Sequence, residues 1–274
     1  MFKVGTFLFS ERAGSGAFST VVKGVDCVTG ETVVAKLERT QLSQTLSCSL
    51  IVEEVNVLEA LSEVRGVPRL LHFGDAGDYR VAVLSYHGTN LEVLQQNTPS
   101  MFTHGVCIDI FVYVMRILEQ IHAYGFIHGD VKPENILSDP VSGLHHLVLC
   151  DFGLAKYWQQ SNGKHVPQKD RERKTGSPRY MSPNTQGGLG NSRRDDLLSL
   201  YYSVLYLMLG TLPWSDSGNK RKDEDIVNEK RRLLMHADMK FVPSGFRDAY
   251  VELSALGFSE LPNYFQLESI MRST

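Results

Sequence analysis

Residues 125–137 read GFIHGDVKPENIL, and three of them decide what is built around the segment. Asp130, Lys132 and Asn135 place a carboxylate, an ammonium and a primary amide on one short stretch, flanked by the apolar pairs Phe126-Ile127 and Ile136-Leu137. Gly129, between the histidine and the aspartate, is the residue whose purpose is least obvious.

Working outward, Ile108–Tyr124 is one long apolar-striped helix feeding the loop, and residues 137–153, LSDPVSGLHHLVLCDFG, read as a short hairpin that carries Asp151-Phe152-Gly153. Residues 1–37 favour β-formers in three runs, TFLFSER, STVVKGVD and TVVAKLER, with VTGE as a turn. From Leu46 to Leu61 the apolar positions Leu50, Val55, Leu58 and Leu61 suit one helix face. A hairpin around Asp75–Asp78 follows, and after Gly88 the pattern turns helical to the end, interrupted by loops such as residues 159–179. The reading is α+β: a small β-rich lobe over 1–87 and a larger, mainly helical lobe over 88–274, with the boundary at Ser85–Gly88.

The bulk numbers agree with an ordinary globular chain. Its 274 residues are enough to bury a full core, and 42% hydrophobic with 22% charged content does not indicate disorder or low complexity. A formal net charge of -3 argues against a dedicated nucleic-acid binder. Cys27, Cys48, Cys107 and Cys150 form no Cys-x-x-Cys pair, so neither a zinc site nor a disulfide framework is expected, and a reducing compartment (cytoplasmic, nuclear or both) is the reading. The first residues carry charge where a secretory segment needs an apolar run. Leu197–Trp214 carries no charge, but it is short for a membrane span and is read as a helix buried on all sides.

The polar residues assemble into one chemistry. Gly14 and Gly16, in AGSGAFSTVVKG, allow a tight turn and close backbone approach to phosphate, although such a hairpin is often only a turn. Ser19 stands where a third glycine would complete the loop, and Val21 is placed to cover a purine. Lys36 sits on a strand, and helix 46–61 offers it Glu53 or Glu54. Glu54 is favoured because Leu58 then lies one turn later on the same face. Phosphoryl transfer needs an aligned hydroxyl, a neutralised phosphate and a held Mg²⁺. Asp130 would accept the hydroxyl proton, Lys132 would balance γ-phosphate charge, and Asn135 and Asp151 would ligate the metal.

In that order and spacing the chain resembles a eukaryotic protein kinase over nearly its whole length. GSPRYMSPNTQGGLGNSRRDDLLSLYYSVLYLMLGTLPW (residues 176–214) is similar, more narrowly, to the casein kinase 1 group, with Ser182-Pro183-Asn184 in place of Ala-Pro-Glu. The resemblance implies the bilobal protein-kinase fold, ATP and Mg²⁺ as cofactors, and serine or threonine in protein substrates as acceptor. It implies that Ser177 bonds Asp130 and Lys132, and that Asp196 anchors the catalytic-loop backbone. Leu84 would be the gatekeeper and Ser85, Tyr86 and His87 the hinge. Ala13, Ser15, Ala35 and Leu137 complete the nucleotide-contacting set. The group's hinge acid is replaced by Ser85.

His128-Gly129-Asp130 departs from the usual His-Arg-Asp. Aminoglycoside and choline phosphotransferases share His-Gly-Asp but lack the 176–196 segment, and a pseudokinase scaffold would be expected to have lost the base or a metal ligand, which this chain keeps. Vaccinia-related kinases also use His-Gly-Asp. Without an arginine to meet a phosphorylated activation loop, a constitutively competent kinase is expected. Casein kinase 1 relatives favour acidic or pre-phosphorylated substrates; Arg179, Lys174 and Lys222 are the candidate anion pocket, with Arg171, Arg173, Lys220 and Arg221 nearby, unless these are simply solvated loop charges. A monomer with no nucleic-acid or membrane partner completes the expectation.

Overall fold

A computed structural model of the chain describes residues 1–15, 20–40, 49–139, 141–170, 176–215 and 222–273, with the backbone alone for 12–15. Gly16, Ser19, Arg171, Arg173, Lys174, Lys220 and Arg221 lie outside the described residues.

The N-terminal part is a six-stranded antiparallel sheet, built from β1 (Phe2–Val4), β2 (Phe7–Ser15), β3 (Thr20–Asp26), β4 (Thr32–Arg39), β5 (Leu70–Ala76) and β6 (Tyr79–Ser85) in the order β1-β2-β3-β4-β6-β5. Strand alternation divides β4 between two environments. Val33 and Ala35 are 1% and 0% exposed and pack with Phe9, Val81 and Val83 on one face. Lys36 and Glu38 take the other face, toward α1 (Leu50–Ala60), and Val34 is opposite Leu84 of β6 in the register. Helix α1 starts at Leu50 because Ser49 caps it, its hydroxyl accepting from the Val52 N–H at 3.4 Å. Of the helix expected over Leu46–Leu61, residues 46–48 lie outside the described residues, and the described part runs from Leu50 to Ala60. Ile51, Glu54, Val55, Val57 and Leu58 form its buried face.

The larger part is helical: α2 (Leu91–Asn97), α3 (His104–Ala123), α4 (Pro183–Gln186), α5 (Arg193–Leu209), α6 (Asp223–Arg231), α7 (Ser244–Ala255) and α8 (Tyr264–Arg272). It also holds small sheets that residue periodicity is too short to show. β7 (Thr89–Asn90) pairs with β9 (Ile136–Asp139), which pairs with β10 (Gly143–Leu149), and β8 (Phe126–Ile127) pairs with β11 (Lys156–Tyr157). These pairings anchor both ends of the 128–135 loop.

Helix α5 is buried almost throughout: Leu197, Leu200, Tyr201, Tyr202, Val204 and Leu205 are all 0% exposed. Ser192 and Asp195 close its N-terminus with reciprocal bonds, and Gly210, at φ +76°, closes its C-terminus. No described helix is long and apolar enough to cross a membrane. One apolar core runs from Val57 and Leu58 of α1 and Leu61 just after it, through Leu84, to Phe111 and Met115 of α3 and Leu205 of α5, so the sheet part and the helical part share packing. At about 1.5–3 kcal/mol per fully buried large apolar side chain, this shared core dominates what holds the cleft walls in place.

Candidate active site

The cleft wall on the sheet side is organised by Lys36. Its Nζ donates to Glu54 Oε2 and to Asp151 Oδ1, both at 2.6 Å, and Glu54 Oε1 accepts from the Phe152 N–H at 3.3 Å. Between the two candidates on α1, Glu54 is the partner; Glu53 is not on the buried face. Burial pulls the Lys36 ammonium down, but the two carboxylates outweigh it and hold its pKa above the ordinary lysine value. Burial pushes Asp151 up, and Lys36 overcomes this too, so Asp151 titrates below the usual carboxylate range.

One device here escaped the reading of the sequence. Glu38 is 2% exposed and lies two residues beyond Lys36 on the same strand face. Its Oε1 accepts from the Leu50 N–H at 3.1 Å, and its Oε2 accepts from the Ser49 hydroxyl. A carboxylate at a helix N-terminus meets unpaired N–H groups and the positive end of the helix dipole. Glu38 thus fixes the start of α1 on β4, and Lys36 fixes its middle. The i, i+2 spacing was the available signal.

Across the cleft, Asp130 Oδ2 accepts from Lys132 Nζ at 2.5 Å, and Oδ1 accepts from the Ser177 N–H at 3.1 Å. Lys132 also donates to Ser177 Oγ at 3.1 Å. The Ser177 hydroxyl therefore meets the lysine while its backbone amide, rather than the hydroxyl, meets the aspartate. Asn135 Nδ2 donates to the Asp130 carbonyl at 2.9 Å, leaving its amide oxygen as the atom able to ligate a cation.

The loop backbone hangs from Asp196, 1% exposed on α5: Oδ2 accepts from the His128 N–H at 2.7 Å and Oδ1 from the Gly129 N–H at 2.9 Å. His122 bridges Asp196 (3.0 Å) to the Tyr264 hydroxyl of α8 (2.6 Å), a link with no sequence signature. Gly129 has φ +83°, and a Cβ there would stand 2.8 Å from the Leu154 carbonyl oxygen. A side chain at 129 is strained both by its backbone and by its neighbour. Asp151, at φ +68°, is the one non-glycine residue with positive φ among the described residues, and it presents its carboxylate to the cleft with 43% of the side chain exposed.

The nucleotide side brings one correction. Ala35, expected to contact nucleotide, is 0% exposed in the cluster with Phe9, Val33 and Val83 on the face away from Lys36. Alternation along β4 assigns the cleft side to Val34 instead. Val21 pairs with Lys36 in the β3–β4 register, Leu84 is opposite Val34, and Leu137 is half-buried on β9. Ala13, Gly14 and Ser15 are the end of β2, with Gly14 opposite Val21.

At the hinge, Ser85 Oγ accepts from the Arg69 N–H at 2.9 Å and pairs with His87 Nε2 at 2.8 Å. Their side chains are spent on each other, so the hinge offers a ligand backbone groups rather than these side chains. Burial lowers the His87 pKa, which suits a neutral ring accepting at Nε2. Cys150, next to Asp151, has its thiol pushed up to about 12 by burial and then by the Asp151 charge.

Of the candidate anion pocket, Arg179 is exposed with its guanidinium 5.6 Å from the Tyr206 ring centroid and 5.9 Å from that of Tyr180. Lys222 is exposed at the N-cap of α6. Lys174 lies outside the described residues. The buried cation that the structure does show in this region is Lys230, which the sequence reading passed over.

The family model for the protein kinase domain matches residues 7–252. The chain belongs to the protein kinase family. The kinase accordingly uses ATP and a divalent metal and acts on protein, which decides against the small-molecule phosphotransferases that share His-Gly-Asp. No group of three or more His, Cys, Asp or Glu side chains able to hold a metal occurs among the described residues. Asp151 and Asn135 offer a hard cation one carboxylate and one amide oxygen, donors that nucleotide phosphates and water would complete.

Proposed function

We propose that the chain is a serine/threonine protein kinase of the casein kinase 1 type, moving the γ-phosphate of Mg-ATP to a protein hydroxyl. The observation that carries this reading is the triangle of Asp130, Lys132 and Ser177 facing the triangle of Lys36, Glu54 and Asp151. Asp130 takes the proton of the attacking hydroxyl as its oxygen bonds to phosphorus and the bond to the ADP oxygen breaks. Lys132 carries positive charge to the γ-phosphate, and Lys36, held by Glu54, carries it to the α- and β-phosphates. Mg²⁺, bound between Asp151 and Asn135, would neutralise phosphate charge and hold it in line. A lysine two residues beyond the base, bonded to the loop hydroxyl of Ser177, supports serine or threonine as the acceptor.

We read residues 1–274 as one kinase domain acting as a monomer in the cytoplasm, the nucleus or both, without need of activation-loop phosphorylation, and with acidic or pre-phosphorylated substrates preferred. Radiolabelled phosphate transfer to casein, to serine, threonine and tyrosine peptides, and to an aminoglycoside tests the reading. Serine and threonine labelling is expected; tyrosine or aminoglycoside labelling alone would overturn it.

A further inference from the structure

Lys230 is the most deeply buried cation outside the cleft among the described residues, at 0% exposure in the last turn of α6. Its ammonium donates to the Pro178 carbonyl at 2.6 Å, the Met181 carbonyl at 2.8 Å and Gln186 Oε1 at 2.8 Å. Three N–H groups meet three oxygens, which uses the whole donor set of a lysine. The rings of Trp214 and Tyr202 lie 5.3 and 5.5 Å from Nζ, and the Tyr250 hydroxyl donates to the Lys230 carbonyl. Burial pushes the Lys230 pKa down to about 7, with Asp223 opposing.

Burying an ammonium is costly, and a Leu or Met would fill the same space among aromatic rings without that cost. What a hydrocarbon cannot do is hold two backbone carbonyls three residues apart. Those carbonyls belong to the segment that begins at Ser177. Its upper side is tied to the catalytic loop, through the Ser177 N–H on Asp130 and the Ser177 hydroxyl on Lys132. Its lower side is held by Lys230 at 178 and 181, and by the Trp214 indole N–H at the Arg179 carbonyl, 2.7 Å away.

We propose that Lys230 is a positioning residue for protein-substrate recognition, setting the loop Ser177–Met181 in the register that presents an acceptor hydroxyl to Asp130. The inference rests on the protein-kinase reading above. It places a determinant of substrate binding on α6, remote in sequence from every nucleotide-contacting residue.

Steady-state kinetics on a serine peptide, with peptide-independent ATP hydrolysis measured alongside, tests it. Lys230→Met keeps the stem and removes the donors. Its peptide KM is expected to rise about ten-fold or more, while ATP KM and ATP hydrolysis stay within about two-fold of wild type. Lys230→Arg, which keeps a charged donor, should recover at least about a third of the lost kcat/KM. A Lys230→Met enzyme with unchanged peptide KM, or one whose ATP KM and peptide KM deteriorate equally, overturns the proposal. Should Lys230→Met fail to fold, Trp214→Phe and Gln186→Ala, each removing one grip, decide it: peptide KM unchanged in both overturns it, and a rise of about two- to three-fold in either supports it. A wild-type protein that labels no peptide would count against the serine/threonine-kinase reading instead.

Discussion

Gly129 answers to two demands, one read from the sequence and one from the backbone. From sequence it registers as a missing arginine, hence as lost regulation. In the structure it also has φ +83° and no room for a Cβ before the Leu154 carbonyl, so glycine relieves a strain any side chain would introduce. Gly129→Ala should therefore lower stability by about 1–2 kcal/mol, measured by chemical denaturation, without changing ATP affinity more than slightly. Asp130→Asn should leave nucleotide binding nearly intact and cut phosphotransfer by about two or more orders of magnitude, because the acceptor loses its base while Lys132 and Ser177 keep their places. Near-wild-type turnover would remove Asp130 from that role.

Asp151 sets a pH signature of its own. Its folded pKa lies below 3.8, so its ion pair with Lys36 is fully present above that value and is lost as pH falls through the folded pKa. The difference in unfolding free energy between wild type and Asp151→Asn should be flat from about pH 8 to pH 5 and shift against wild type below about pH 4. A difference that drifts between pH 6 and 8 would mean another group controls the pair. Cys150, with its thiol near 12, should resist iodoacetamide at pH 8 with or without ATP.

At the scale of elements, β4 is where reading by motif and reading by geometry part company. The Val-Val-Ala-Lys run drew Ala35 into the nucleotide set by its nearness to Lys36, yet a strand turns adjacent residues to opposite faces, and Ala35 faces Phe9 and Val83. The same alternation brings Glu38 to the α1 side, where it holds the helix start. Helix α3 was legible through its apolar stripe and α5 through its charge-free run, because both signals are local. The two-residue strands β7, β8 and β11 were not, because a pairing that short exists only through its partner. The Asp130, Lys132, Asn135 and Asp151 positions were legible as types in order, whereas the His122–Asp196–Tyr264 link joins three separate helices and leaves no trace in spacing. Glu38→Ala should release the start of α1 from β4, while Lys36 still holds its middle. With the Leu50 N–H and the Ser49 O–H deprived of their acceptor, Glu54 is held less firmly toward Lys36, and ATP KM should rise by about three- to ten-fold. Glu38→Gln, which keeps an acceptor, should fall between; an Ala variant with wild-type ATP KM would show that Lys36 alone suffices.

At the scale of the whole molecule, the described catalytic groups are held by contacts that involve no modified residue: Lys36 joins Glu54 and Asp151, Asp196 holds the catalytic loop, and Ser177 meets Asp130. Protein made in bacteria and treated with phosphatase should then be active without lag. A lag abolished by mutating hydroxyls in residues 157–177 would contradict this. Substrate choice depends on charge beyond the cleft. Arg179, an exposed residue two positions after Ser177, carries its guanidinium over the Tyr206 ring, and Lys222 is exposed at the N-cap of α6. A guanidinium binds phosphate through paired hydrogen bonds, and attraction between solvated charges weakens once the screening length drops below about 10 Å near 0.1 M salt. A serine peptide with phosphoserine or acids upstream should therefore be phosphorylated better than its neutral twin at low salt, and the advantage should shrink as salt is added. Arg179→Ala should reduce kcat/KM for the primed peptide by several-fold more than for the neutral one, since the neutral peptide never used the cation. Equal rates for both peptides at low salt would remove the anion preference while leaving phosphotransfer by Asp130 untouched.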